Sequence, residues 1–160
     1  MSLDSVRMYL GQYDLQDKVL EFPVSSATVE EAAAALRCEA CRIAKTMSFL
    51  VDGHAVLIVM AGDARVDNAK FKEHFHTKAV MLKGDEVEAL TGHPVGGVCP
   101  FAVPQSAKVY LDRSLQRFDT VFPACGSRNS AIELTPTQLE RVSGSAGWVD
   151  VGKGWEKTDI

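Results

Sequence analysis

The sequence has no hydrophobic run long enough to cross a membrane. Although 46% of its 160 residues are hydrophobic, no stretch approaches the roughly 20 apolar residues that a membrane-spanning helix requires. The opening segment, MSLDSVRMYLGQYD, carries polar groups where a signal peptide has an apolar stretch. We therefore expect a cytoplasmic protein without membrane contact. This length and hydrophobic content predict a single domain over residues 1–160.

Excess positive charge is also missing. Lys and Arg number 17 against 21 Asp and Glu, which gives a net charge of -4 and a pI near 5.5. Proteins that bind nucleic acid without regard to sequence neutralise many phosphates with Lys and Arg. The composition therefore argues against DNA as a partner, while a local site remains able to hold a few phosphates.

Cysteine is too scarce for a disulfide scaffold, and we expect free thiols in a reducing cytosol. Two of the cysteines have the CxxC spacing of half a zinc site, but tetrahedral zinc needs two more converging ligands and no second pair follows. The four His residues also lack metalloprotease spacing. We therefore expect neither a metal nor a cofactor. The four cysteines are Cys38, Cys41, Cys99 and Cys125.

Two of these thiols are candidate nucleophiles. Cys99 and Cys125 each lie in a glycine-containing turn, where backbone amide donors can lower the pKa of a thiol. Neither has a recognisable base nearby in the sequence. The glycine pair Gly96-Gly97 is not a Walker phosphate loop, because the Lys-Ser/Thr that follows such a loop is missing.

Helical and strand patterns alternate along the chain. Thr28 with Glu31, and Thr135 with Gln138, have the spacing of helix-capping boxes. The connection at residues 52–54 contains a glycine between two apolar runs and predicts a β-hairpin. Strands and helices interleave with hairpins, which favours an α+β fold, a single curved mixed β-sheet flanked by helices. We predict helices at residues 2–11, 29–36, 68–75, 84–90 and from 136, and strands at 19–24, 43–51, 55–62, 78–83, 108–112, 118–124 and 131–134.

Lys45 is unusual because it lies in the otherwise mostly apolar strand IAKTMSFLV. A lysine in such a strand can simply extend from an edge into water. The loop LTGHPVGGVCPFAVPQ at 90–105 has too many Gly and Pro residues for a helix or strand. Either feature alone can have a purely structural role. Their occurrence together is what indicates a functional site.

Four motifs follow one another in order. They are Lys45-Thr46 in a strand, the loop TGHPVGGVCPF at 91–101, Arg128, and Ile132-Glu133-Leu134 before a capped helix. Together they resemble the YbaK family, which is related to the editing insertion of bacterial prolyl-tRNA synthetase. The resemblance spans almost the whole chain at family spacing.

The resemblance implies a trans-editing hydrolase that cleaves the ester bond of a mischarged aminoacyl-tRNA, such as tRNA for proline carrying a small wrong amino acid. The implied partner is the 3′ end of that tRNA, and an aminoacyl-tRNA synthetase is a further candidate. In this family the water is helped by a hydroxyl of the terminal adenosine, and Lys45 corresponds to the catalytic lysine that orients the substrate. The implied substrate-binding residues are Gly96, Gly97, Val98, Cys99, Pro100, Gly126, Ser127 and Arg128.

The chain departs from the family pattern beside the implied pocket. Ala124-Cys125-Gly126 stands where the family often has Ser-Gly-Gly, and Ala131 stands where it has Asp. Ala102 replaces a common Gly. These changes leave the amino-acid preference open. They also leave two alternative functions, a non-catalytic module that binds an amino acid, a nucleotide or a synthetase, and a thiol enzyme that uses Cys99 or Cys125.

Overall fold

The computed structural model describes residues 2–156. The predicted domain 1–160 therefore extends beyond the described range at both ends. The elements are α1 Ser2–Gly11, β1 Leu20–Glu21, α2 Val29–Leu36, β2 Ile43–Val51, β3 His54–Ala61, β4 Arg65–Val66, α3 Asn68–Phe75, α4 Gly84–Thr91, β5 Lys108–Asp112, β6 Phe122–Pro123, β7 Ser130–Ala131, α5 Pro136–Ser143, β8 Trp148–Val149 and β9 Gly152–Lys153.

A mixed five-stranded sheet forms the centre, with strand order β6-β2-β3-β5-β8. The β2–β3 pair is antiparallel, and the three other neighbouring pairs are parallel. Two small antiparallel sheets, β1-β7 and β4-β9, lie beside it. The prediction of an α+β domain with a mixed sheet flanked by helices is confirmed.

The β2–β3 hairpin closes as its sequence predicts. Asp52 and Gly53 have φ angles of 51° and 79°. Two consecutive positive φ values are the signature of a type I′ turn, whose twist matches that of the two strands. The resulting register pairs Lys45 with Met60, and thereby places the lysine near the end of β2 that is remote from the turn.

The two largest clusters of buried apolar side chains lie one on each face of the sheet. Successive strand residues point to opposite faces, so Leu57 of β3 packs with α1 and α5, while Ile58 packs with Phe71 of α3. Lys45 and Phe49 share strand parity on β2, and Phe49 belongs to the α3 cluster. Lys45 is therefore on the α3 side of the sheet.

The capping boxes are present, but several predicted strands are shorter than expected. Thr28 and Thr135 each accept a hydrogen bond from the backbone amide three residues later. The prediction of a strand at 78–83 is wrong, because this segment forms one isolated bridge to β2. The predicted strands at 19–24 and 118–124 contain only the two-residue strands β1 and β6, and the one predicted at 131–134 overlaps β7 only at Ala131. No helix within residues 2–156 is long and apolar enough to span a bilayer.

Candidate functional site

A cavity of about 420 Å³ opens between α2, the first half of β2 and two loops. Most of its wall is small or apolar, and five residues with hydroxyl groups interrupt it, namely Ser26, Thr28, Thr46, Ser48 and Ser130. The lining residues are Ser26, Ala27, Thr28, Val29, Ala32, Ile43, Ala44, Lys45, Thr46, Met47, Ser48, Met81, Leu82, Gly84, Val87, Val95, Gly96, Val98, Phe122, Ala124, Ser130 and Ala131. The cavity therefore has the composition of a small-molecule site, with an apolar wall and a few polar groups.

Among residues 2–156, Lys45 is the one cationic residue in this wall. Its ammonium group makes one long hydrogen bond, 3.4 Å, to the carbonyl oxygen of Gly62. Burial lowers the pKa of Lys45 below its ordinary value of 10.5, while the carboxylates of Asp63 and Glu30 act in the opposite direction. Because an ammonium carries three donors, two of them have no partner among the described residues and are available to a ligand.

The loop at 93–101 reaches the same cavity through Gly96 and Val98. Gly96 has a φ of +89°, and a Cβ there would come within 3.1–3.2 Å of Arg128 and Ala27. The position therefore requires glycine for its backbone conformation and for the space around it. This close packing explains how the loop approaches α2 so tightly.

The second glycine of this loop has a different task. A Cβ on Gly97 would lie 2.8 Å from the backbone nitrogen of Ser127. Gly97 thus lets the 93–101 loop pack backbone to backbone against the loop at 124–130. Its amide donates to the carbonyl of Pro94 at 2.9 Å, so it is not free to bind a ligand.

Three cavity-lining residues of the 93–101 loop have unpaired backbone amides. Within residues 2–156, the N–H groups of Val95, Gly96 and Val98 have no hydrogen-bond acceptor, and all three residues line the cavity. Open backbone donors near a fixed positive charge are suited to stabilise negative charge that develops on a carbonyl oxygen. This is the main chemical capacity that the cavity shows.

Arg128 and Gly126 hold the two loops in place. Arg128 donates from Nε to the carbonyl oxygen of Val95 at 3.0 Å. Its guanidinium therefore joins the 93–101 loop, called the first loop, to the 124–130 loop, called the second loop. Gly126 has a φ of +90°, and a Cβ there would lie 2.7 Å from Oγ of Ser2. Helix α1 therefore packs directly against the second loop.

The second loop also contains a pair of hydroxyl groups. The Oγ atoms of Ser127 and Ser130 are 2.6 Å apart, and Ser130 lines the cavity. Ala124 and Ala131, the positions at which the sequence departs from the YbaK pattern, also line it. The departures therefore change the wall of the cavity itself.

A buried histidine stabilises the first loop through hydrogen bonds that involve both of its ring nitrogens. His93 donates from Nε2 to the carbonyl oxygen of Phe101 at 2.7 Å, which leaves Nδ1 to accept from Oγ of Ser2. Burial lowers the pKa of His93 below its ordinary value of 6.5. The neutral ring thereby ties both ends of the loop to helix α1.

The thiols at this site are buried. Cys99 and Cys125 have no exposed surface. Burial raises the pKa of Cys99 to about 12 and that of Cys125 well above its ordinary value. A thiol must ionise to act as a nucleophile, so this geometry disfavours the thiol-enzyme alternative. Within the described part of the chain, no group of three His, Cys, Asp or Glu side chains is placed to hold a metal.

The structure brings together some of the residues that the sequence predicted as a site. Lys45, Gly96 and Val98 line the cavity. Gly97, Cys99, Pro100, Gly126, Ser127 and Arg128 do not line it. Among these six, Gly97, Gly126 and Arg128 pack the loops together, Cys99 is buried and Ser127 bonds Ser130. Pro100 lines a different hollow, beside Tyr9 and Ala102. Whether any of them touches substrate stays a prediction.

Several lining residues escaped sequence analysis. The start of α2 with the turn before it, residues 26–29, forms one wall, and Met81 and Leu82 form part of another. These residues are mostly small or apolar and carry no chemical motif. The capping box at Thr28 indicated a helix start there, but nothing local indicated that this start faces a cavity.

Comparisons with known proteins agree on one family. The profile of the aminoacyl-tRNA editing domain matches residues 24–142. The chain is 54% identical over 157 residues to the uncharacterized protein YwhH of Bacillus subtilis (strain 168), covering 98% of this chain and all of that protein. It is 33% identical over 125 residues to a proline–tRNA ligase of Desulfovibrio desulfuricans, covering 78% of this chain but 21% of the ligase.

Two solved structures superpose on most of this chain. A crystal structure assigned provisionally to a trans-editing enzyme for prolyl-tRNA synthetase superposes with a TM-score of 0.85 and 29% identity, covering 96% of this chain and 98% of the other. The crystal structure of hypothetical protein APE2540 superposes with a TM-score of 0.79 and 29% identity, covering 91% of this chain and 99% of the other. Each likeness extends over nearly the whole of both chains.

Proposed function

The chain belongs to the aminoacyl-tRNA editing domain family, and on that basis we propose that it hydrolyses the ester bond of a mischarged aminoacyl-tRNA. The observation that carries this proposal is the meeting of Lys45 with the loop of Gly96 and Val98 at one cavity. The amino acid esterified to the 3′ end of the tRNA enters this cavity. Editing in trans then removes it.

Hydrolysis of an aminoacyl ester needs little covalent help from the protein. The ester is already activated, so the catalyst must place a water and stabilise the oxyanion of the tetrahedral intermediate. The open amides of Gly96 and Val98 are candidates for the oxyanion donors. Lys45 orients the substrate through contacts with its carbonyl or phosphate oxygens. A hydroxyl of the terminal adenosine assists the water.

The size and composition of the cavity favour a small amino acid. About 420 Å³ must hold the amino acid and part of the terminal nucleoside. The wall near α2 is apolar, with Val29, Ala32 and Ile43. Discrimination by such a wall is worth only about 1–3 kcal/mol for each methylene. We propose tRNA for proline as the acceptor, since several relatives of this chain are proline–tRNA ligases.

The test is a deacylation assay with purified protein and a panel of mischarged tRNAs. At least one substrate is expected to lose its amino acid faster than in buffer. The variant Lys45→Ala is expected to lose this activity. Its matched control is Lys108→Ala, which removes an exposed lysine outside this cavity and is expected to keep the activity. A panel that stays intact would overturn the proposal.

A second candidate function is binding at the same site without hydrolysis. Ala124 and Ala131 place methyl groups in the wall where polar groups are common in the family. These substitutions favour a module that binds an amino acid, a nucleotide or a synthetase. Stoichiometric binding of an aminoacyl-tRNA with no release of the amino acid would select this function over hydrolysis.

A further inference from the structure

Two further hollows lie next to the cavity at Lys45, on the α3 side of the sheet. The first, of about 210 Å³, shares Lys45, Met47 and Met81 with the cavity. The second, of about 390 Å³, shares Asn68 and Ala79 with the first. These shared residues place the three hollows side by side, in a row that starts at the proposed site and reaches α3.

Cationic side chains follow this row of hollows. Arg65 lines the first hollow, and Lys72 and Lys78 line the second. Lys45 lies where the cavity and the first hollow meet. We use the name cationic groove for the two hollows together with Lys45.

The cations of the groove have no ion-pair partners among residues 2–156. Other basic residues do, for example Lys70 with Asp150 and Arg117 with Asp63. The carboxylate of Asp67, next to the groove, accepts hydrogen bonds from the amides of Ala69 and Lys70 and caps α3. In a chain with a net charge of -4, four cations gathered along one groove form a local positive surface that is suited to an anionic ligand.

The floor of the groove is apolar. Met47, Val66 and Met81 line the first hollow, and Met81 is 52% exposed. An unpaired base can lie on such a surface or against the plane of an arginine guanidinium, while its phosphate meets a lysine. Arg65 offers that plane, because its side chain is exposed and unpaired. The alternation of apolar floor and positive rim matches a single-stranded nucleic acid.

We propose that the cationic groove binds the single-stranded 3′ end of the RNA on the 5′ side of its terminal nucleoside. This proposal rests on the proposed function, because it places the terminal nucleoside at Lys45. The phosphates that precede it meet Arg65, then Lys72 and Lys78. Binding of the strand, rather than contacts in the cavity alone, then supplies much of the affinity.

The test measures binding of a short, fluorescently labelled single-stranded RNA that ends in CCA, by fluorescence anisotropy at several salt concentrations. The groove variant is Lys72→Ala/Lys78→Ala. Its matched control is Lys18→Ala/Lys108→Ala, which removes the same charge from two exposed lysines outside the groove. The groove variant is expected to bind on the order of tenfold more weakly, and its salt slope is expected to fall by about 1.4, because a single strand contributes about 0.7 for each phosphate contact.

Arg65 has a separate test. Arg65→Ala is expected to weaken binding, and Arg65→Lys is expected to restore only part of it, because lysine keeps the charge but lacks the flat guanidinium. Equal loss of binding in the groove variant and its control would overturn the proposal. Equal binding of a blunt RNA duplex to the wild type would overturn the assignment to a single strand.

These experiments separate the groove from the chemistry. Unacylated RNA reports the groove without any hydrolysis, so weaker binding by the groove variant supports the proposal even if no mischarged tRNA is deacylated. Deacylation alone decides the proposed function. If deacylation occurs, the groove variant is expected to raise KM on the order of tenfold for aminoacyl-tRNA. Its kcat for aminoacyl-tRNA and its rate with an aminoacyl-adenosine that lacks the preceding nucleotides are expected to stay unchanged.

Discussion

The 93–101 loop has a rear side, which carries His93 and Cys99, and a side that faces the cavity. The two sides differ in how many of their side-chain polar groups have hydrogen-bond partners. On the rear side, both ring nitrogens of His93 have partners and Cys99 is fully buried. On the cavity side, the amides of Gly96 and Val98 and two donors of Lys45 have no partner within residues 2–156. The rear carries the residue types that usually signal catalysis, yet their side chains are hydrogen-bonded or buried, whereas the side chain of Lys45 at the cavity keeps free donors. Burial and hydrogen bonding, rather than residue type, therefore decide which side is suited to chemistry.

The sharpest test of the cavity side is the removal of its cation. Lys45→Met keeps most of the length and apolar stem of the side chain but removes the charge. We expect kcat/KM for deacylation to fall about a hundredfold or more, the usual effect of losing one group that stabilises a transition state. Steady-state deacylation kinetics measure this change.

Stability provides the control for this variant. Lys45→Met is expected to unfold at the same temperature as the wild type or a higher one, because it removes a cation that burial already disfavours. Activity within a few-fold of the wild type would show that the free donors of Lys45 take no part in deacylation.

The close packing of the 93–101 loop against the 124–130 loop is tested by adding one carbon atom. Gly97→Ala places a Cβ 2.8 Å from the backbone nitrogen of Ser127, and we expect a loss of about 1–3 kcal/mol in the free energy of unfolding. The matched variant is Gly84→Ala, since a Cβ there meets nothing within 4 Å and lies at the cavity. It is expected to be neutral in urea denaturation. Equal effects of the two variants would remove the contrast between a packed rear and an open cavity.

The buried histidine predicts a pH dependence of stability. The pKa of His93 in the folded protein lies below its ordinary value of 6.5, because burial disfavours the charged ring. Its contribution to stability is therefore complete above pH 6.5 and is lost as the pH falls towards the lowered pKa. Urea denaturation across this range measures it.

A substitution isolates this contribution. His93→Gln is expected to be less stable near neutral pH and to show a shallower loss of stability below pH 6.5. His54→Gln, at an exposed position at the start of β3, is the matched control and is expected to keep the wild-type slope. A wild-type slope in His93→Gln would mean that other groups cause the acid sensitivity.

The smallest expected effect concerns the thiols. Iodoacetamide treatment of the folded protein is expected to leave deacylation unchanged, because Cys99 and Cys125 are buried and their thiol pKa values are raised. Cys125→Ala is expected to keep activity within about threefold while it loses some stability through a cavity. Loss of activity on alkylation, with the modification mapped to Cys99 or Cys125, would restore the thiol-enzyme alternative.

Local features of the fold were predictable from the sequence. The hairpin at Asp52-Gly53 and the capping boxes at Thr28 and Thr135 depend on residues within a few positions of one another. Strands β4, β8 and β9 were missed, because each has only two residues. They form through partners distant in the chain, such as Arg65 with Lys153. No local periodicity marks a pairing of that kind.

The candidate site was predictable only in part. The meeting of Lys45 with Gly96 followed from the resemblance to a family, since no spacing rule brings positions so far apart together. The wall at residues 26–29 and at Met81 consists of residues that pack there through long-range contacts and bear no reactive group. The open state of the Gly96 and Val98 amides also depends on the folded loop, because hydrogen bonding is a property of the assembled structure.

The most direct test of the central claim is a crystal structure of this protein with an adenosine that carries an amino acid through an amide in place of the ester. We expect the aminoacyl group to occupy the cavity beside Lys45, with its carbonyl oxygen within hydrogen-bond distance of the lysine or of the Gly96 and Val98 amides. An analogue bound elsewhere, or bound with that carbonyl turned away from all three donors, would contradict the central claim.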